Sequence, residues 1–101
     1  MANFVSFLPT VCTLLLLCFS SDDILTANFK YACGIVDCSS TKEGGPCFLP
    51  PTMVNHASVA MNLYYQSQGR HTWNCDFNGT GVVAVTDPSS GACKYPFKQT
   101  V

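Results

Sequence analysis

The stretch Pro51-Thr52-Met53-Val54-Asn55-His56-Ala57-Ser58-Val59-Ala60-Met61-Asn62-Leu63-Tyr64-Tyr65-Gln66-Ser67-Gln68-Gly69 decides the fold. Val54, Ala57, Met61 and the Tyr64/Tyr65 pair recur every three to four residues, the period of an apolar helical stripe. Pro51 fits the first helical position, where a missing N–H costs nothing, and Gly69 fits the terminating position. A helix is therefore predicted over 52–68. Asn55, Ser58, Asn62 and Gln66 mark a second, polar face of it.

Beyond this helix the pattern changes. Val82, Val83, Val85 and Thr86 are β-branched and lie between Gly79/Gly81 and the turn pair Asp87-Pro88, which predicts a strand over 82–86. Lys94-Tyr95-Pro96-Phe97 is its candidate partner, after the Ser89-Ser90-Gly91 turn. Upstream, Gly44-Gly45-Pro46 and Pro50-Pro51 make 39–51 a loop. Before the loop, Ser21-Asp22-Asp23 offers N-terminal capping groups. Leu25, Phe29 and Ala32 then follow at helical spacing, and Gly34 supplies a stop, giving a helix over about 23–33. The expected fold class is α+β: a small disulfide-stapled domain with two helices packed on a small antiparallel sheet.

Phe4 to Phe19 is nearly all apolar, with Leu14-Leu15-Leu16-Leu17 at its centre and no charge before Asp22. The run is shorter than the roughly 20 residues a membrane-spanning helix needs, and Pro9 interrupts it. It reads as a secretory leader over 1–20, cut after Ser20. Seven cysteines in 101 residues point the same way, to an oxidising compartment. Removal of 1–20 takes Cys12 and Cys18 and leaves Cys33, Cys38, Cys47, Cys75 and Cys93, an odd set whose pairing spacing does not choose. The expected location is extracellular or cell wall.

The composition, 48% hydrophobic and 11% charged with a net charge of −1, excludes disorder and lacks the basic footprint of nucleic-acid binding. No polybasic membrane patch is present. The chain ends Lys98-Gln99-Thr100-Val101, a short tail over 98–101 without the hydrophobic run of a glycolipid anchor, so neither membrane span nor anchor is expected.

Landmarks along the chain carry a family resemblance. Tyr31-Ala32-Cys33-Gly34, Val36-Asp37-Cys38-Ser39 and Gly44-Gly45-Pro46-Cys47-Phe48 come first. His56-Ala57-Ser58, Met61-Asn62-Leu63-Tyr64-Tyr65-Gln66 and Cys75-Asp76-Phe77 follow in order. Gly79-Thr80, Thr86-Asp87-Pro88-Ser89, Gly91, Cys93 and Tyr95-Pro96 complete the series. Together they resemble the plant family 43 carbohydrate-binding module, also known as the X-8 domain or callose-binding module, over 24–97. Relatives of this kind accompany glucan endo-1,3-beta-glucosidases.

The family opens with a Trp-Cys pair whose cysteine bonds to the one in Cys-Asp-Phe. Here the leader runs almost directly into Leu25-Thr26-Ala27, so that opening reads as missing and the module as shortened at its N-terminus. The resemblance then implies Cys33–Cys38 and Cys47–Cys93 bridges, with Cys75 free, in a monomer or a Cys75-linked dimer. It also implies a weakened fold, since a native bridge in a small domain contributes about 2–5 kcal/mol. Pro50-Pro51 replaces the family's Pro-Asn helix entry, which leaves Thr52 as the cap.

The function implied by the resemblance is non-catalytic binding of β-1,3-glucan. Flat aromatic side chains bury the C–H face of a sugar ring while amides bind its hydroxyls. Candidates are Phe48, Tyr64, Tyr65, Trp73 and Tyr95, with Asn55, Asn62 and Gln66 as polar partners and Arg70 just past the helix. Phe77, beside Cys75, reads as core. Asn78-Gly79-Thr80 is an N-glycosylation sequon, and a glycan on Asn78 would shield an adjoining sugar surface.

Glycoside hydrolysis needs two carboxylates in one cleft, and Asp37, Glu43, Asp76 and Asp87 form no such cluster along the chain. His71-x-x-x-Cys75 has no matching Cys-x-x-Cys, so neither a metal nor any other cofactor is expected. The competing class is a disulfide-rich secreted interaction or defence protein that keeps this scaffold without binding glucan.

Overall fold

A computed structural model of the chain describes residues 11–14, 22–84, 89 and 91–96. Its elements are β1 (Val11–Leu14), α1 (Asp22–Cys33), α2 (Met53–Ser67) and β2 (Gly81–Ala84), with short 3₁₀ turns over Ser39–Thr41, Thr72–Cys75 and Phe77–Gly79. This is a small α+β domain with two helices and a two-stranded antiparallel sheet.

Helix α1 begins with Asp22 and Asp23 and carries Lys30 in its last turn, the arrangement that complements the helix dipole. Leu25, Asn28 and Ala32 are its buried residues. Helix α2 is capped by Thr52, whose hydroxyl accepts from the Asn55 N–H at 3.2 Å. Pro51 thus precedes the cap and does not occupy the first helical position. At the other end, the Arg70 N–H donates to the Tyr65 carbonyl at 3.0 Å across Gly69, whose φ of +101° an L side chain rarely adopts.

The sheet corrects two expectations. β2 pairs with β1, in the register Val11↔Ala84 to Leu14↔Gly81; of the expected partner, 94–96 form no strand and 97 lies outside the described residues. Of the predicted strand, 85 and 86 lie outside the described residues. Cys75 is not free: it is bonded to Cys12 with Cα atoms 5.5 Å apart, so a Cys75-linked dimer has no available thiol. The physical reason is that Val11 and Cys12 are both fully buried, one on each side of β1. A strand covered on both faces has no polar alternation, and within a longer apolar run it looks like leader sequence. A cut after Ser20 would remove this strand. The remainder of the expected leader (1–10 and 15–20) and the tail over 98–101 lie outside the described residues.

The polar face assigned to α2 is also corrected. Ser58 and Asn62 are buried because β1 and the 93–96 segment lie over them. The Asn62 side chain accepts from the Cys12 N–H at 2.9 Å and donates to the Pro96 carbonyl at 2.7 Å. Ser58 meets the Thr13 hydroxyl at 2.9 Å and accepts from the Tyr95 hydroxyl at 3.0 Å. Val54, expected on the apolar stripe, is exposed.

Three core clusters surround α2, and each holds one disulfide. Leu25, Ala57, Met61 and Tyr65 pack about Cys12–Cys75. Val11, Val59 and Tyr95 pack about Cys47–Cys93. Ala32 and Ala60, with Val36 at the edge, pack about Cys33–Cys38. A domain this small gains much of its stability from such cross-links.

Candidate functional site

Helix α1, the last turns of α2 and the 72–79 turns enclose a surface groove of about 430 Å³. Among the described residues four aromatic side chains line it: Tyr31 from α1, Tyr64 from α2, and Trp73 and Phe77 from the turns. Tyr31 and Tyr64 meet edge to face at 5.4 Å, and their hydroxyls are 3.4 Å apart. Phe77 stands edge-on to both, at 6.4 Å and 5.7 Å. Trp73 lies parallel to the His71 ring at 4.3 Å. With one indole face on the imidazole, Trp73 remains 69% exposed, and Tyr31 remains 57% exposed.

Polar groups complete the lining: Asn28, Asn74, Asp76 and Asn78, with Ala27 at the edge. The Tyr31 hydroxyl bond, aided by partial burial, raises the Tyr64 phenol above its ordinary pKa, while a bond from Asn74 acts the other way. The Tyr64 phenol is therefore a neutral hydrogen-bonding group at neutral pH.

The turn that carries Phe77 is unusual. Phe77, Asn78 and Gly79 all have positive φ (43°, 56° and 82°), a sparsely populated conformation costing about 1–3 kcal/mol for a non-glycine residue. It persists because the Asp76 carbonyl accepts from the Gly79, Thr80 and Gly81 amides at 2.8, 3.1 and 3.1 Å. The Thr80 hydroxyl adds a bond to the Phe77 carbonyl at 2.6 Å and accepts from the buried Asn28 side chain at 2.9 Å. Asn28 thus ties α1 to the groove wall.

Of the sequence candidates, the structure brings Tyr64 and Trp73 to this groove. Tyr65 and Tyr95 are 3% and 8% exposed and belong to the core, a correction explained by the β1 and 93–96 segments that cover that side of α2. Asn62 is fully buried as the link between those segments, and Gln66 donates to its side-chain oxygen at 3.2 Å. Asn55 is a loop clamp, donating to the Cys47 and Pro50 carbonyls at 2.9 and 3.2 Å. The Phe48 carbonyl takes a bond from His56 at 2.7 Å and its ring faces that imidazole at 5.6 Å, so it lies apart from the groove.

Sequence reasoning missed Tyr31, Asn28, Asn74 and Asp76, and read Phe77 as core although it is only partly buried. Tyr31 lies four residues after Ala27, and both line the groove, so α1 periodicity carried a usable signal. Nothing local announced the Phe77 turn. Asn78, the sequon asparagine, lies on the same wall.

Among the described residues no group of three or more metal-ligating side chains occurs, and no helix is long and apolar enough to cross a membrane. The X8 domain family model matches residues 15–82. A glucan endo-1,3-beta-D-glucosidase of Olea europaea is 54% identical over 77 residues, covering 75% of this chain and 17% of that protein. The major pollen allergen Ole e 10, also of Olea europaea, is 44% identical over 78 residues, covering 75% and 63%. Plasmodesmata callose-binding protein 2 of Arabidopsis thaliana is 38% identical over 77 residues, covering 75% and 40%. The chain spans less than a fifth of the glucosidase and under two thirds of the other two. The match runs through both helices, the Cys33–Cys38 loop and the groove turns into β2, and on that extent the chain belongs to the X8 domain family.

Proposed function

We propose that this protein is a non-catalytic binding module for β-1,3-glucan, taking the polymer in the groove between α1, α2 and the 72–79 turns. The observation that carries the reading is the aromatic lining, with Tyr31, Trp73 and Asn78 exposed to a ligand. Trp73 stacks on a sugar ring with its free face. Tyr64 and the amides take hydroxyl bonds. Similarity to a callose-binding protein and to glucan endo-1,3-beta-glucosidases supports β-1,3-glucan as the polymer. Among the described residues a single carboxylate lines the groove, where glycoside hydrolysis uses two, which supports binding without cleavage.

The proposal includes an extracellular or wall location, in keeping with three disulfides among the described residues. It also includes N-glycosylation at Asn78. Because that residue lines the groove, the glycan would stand in the path of the polymer. Protein made with the glycan is expected to bind laminarin more weakly than the same protein made without it, and equal affinities would remove the glycan from the groove.

The direct test is retention of the folded protein on laminarin or on insoluble β-1,3-glucan, with no release of reducing sugar. Cooperative folding without retention on either polymer would overturn the reading and favour an interaction or defence protein on the same scaffold.

A further inference from the structure

Among the described residues Asp76 is the one that lines the groove with a formal charge, beside aromatic rings, phenols and amides. Its backbone carbonyl holds the 77–81 turn, but its side chain makes no capping bond to that turn. No hydrogen bond or ion pair engages its carboxylate among the described residues, and the residue is exposed. Among the described residues no Lys or Arg lines the groove to neutralise it. The carboxylate is therefore an uncompensated negative charge at the edge of an otherwise neutral sugar surface.

From this we infer that Asp76 is the charge-selecting residue of the groove, admitting neutral glucan and rejecting polysaccharide that bears carboxylates. The inference rests on the glucan-binding reading above. An ionised carboxylate only accepts hydrogen bonds, so it fits sugar hydroxyls, whereas a second carboxylate nearby offers it no donor. Two like charges about 5 Å apart in water already weaken association about fourfold, and more beside a low-dielectric wall. Salt screens this repulsion when the charges are exposed.

The test compares affinities for laminarin and for carboxymethylated β-1,3-glucan, which share a backbone and differ in charge. Titration calorimetry is run on the parent, D76N and E43Q proteins. Glu43 is an exposed carboxylate outside the groove lining, so E43Q makes the same change in net charge elsewhere. The parent is expected to prefer the neutral polymer about fivefold or more at low salt. D76N should bring the two affinities within about twofold, and E43Q should keep the parent ratio. Independently of any variant, raising salt to about 0.5 M should narrow the parent ratio. A parent ratio unmoved by D76N or by salt overturns the inference while leaving glucan binding intact. Failure of the parent to bind neutral laminarin is the distinct outcome that removes the glucan-binding reading, and this inference with it.

Discussion

At the scale of single residues, aromatic side chains of similar chemistry divide by what covers them. Trp73 is exposed with one face on His71, so its removal changes a surface and leaves the core alone. Trp73→Ala is expected to weaken laminarin binding about fivefold or more, since one aromatic stacking contact is worth about 1 kcal/mol. Its urea midpoint should match the parent's, and equal affinity would exclude Trp73 from the site. Tyr95 is the opposite case. Burial raises its phenol above the ordinary tyrosine value of 10.0, with the Ser58 bond acting against that. A folded-state pKa above the unfolded one gives stability that is complete below about pH 10. This stability is lost as pH climbs through the folded value, because the unfolded chain ionises first. Tyr95→Phe has no phenol to ionise there. It should cost about 1 kcal/mol at neutral pH through the lost Ser58 bond, with the gap to the parent narrowing above about pH 10. Urea midpoints at pH 7 and about pH 10.5 check this, and a gap that widens with pH would contradict it.

At the scale of elements, β2 depends on a position that tolerates no side chain. A Cβ on Gly81 would collide with the Cys75 carbonyl and press the Met61 methyl at 3.1 Å, against backbone held by the Cys12–Cys75 bond. Gly81→Ala is expected to destabilise the domain by about 3 kcal/mol or more, read as a lower urea midpoint. An unchanged midpoint would mean that β2 lies farther from the 72–75 turn. This crowding is invisible in sequence, where Gly81 reads as turn chemistry before a valine run. Both helices were legible, because capping residues, glycine stops and 3.6-residue spacing act locally within each segment. The role of Asn62 and Ser58 was not. Polar residues one helical turn apart look like a solvated face unless the strand that uses them is known. The groove was legible in part for the same reason. Tyr64 and Trp73 announce themselves as polar-tipped aromatics, whereas Phe77 reaches the wall only through consecutive positive φ angles. Tyr31 enters because α1 packs beside α2.

At the scale of the whole molecule, everything turns on whether Val11–Leu14 stays with the domain. These residues supply half of the sheet, a fully buried valine, the acceptor's partner at Asn62 and the cysteine that closes Cys12–Cys75. The bond spans 63 residues of sequence, the longest loop closed by the three, so its loss frees the most chain entropy. Cys12→Ser is expected to lower stability by about 2–5 kcal/mol and to add one alkylatable thiol, at Cys75. A chain starting at Ser21 loses more than the bond. It leaves the Asn62 oxygen and the outer side of the Val59 cluster without their cover, and should show weak cooperativity with Cys75 reactive. The same physics bears on export. If the fold described here is the exported form, processing of the apolar N-terminal run must spare Val11, because a cut after Ser20 discards a core strand. Intact mass of protein recovered from a plant secretion host, before and after alkylation, discriminates the two cases. A mass that includes Cys12, with Cys75 unreactive, is the expected result. An N-terminus at Ser21 with a reactive Cys75 and full cooperative melting would show that α1, α2 and the remaining two disulfides suffice without the sheet.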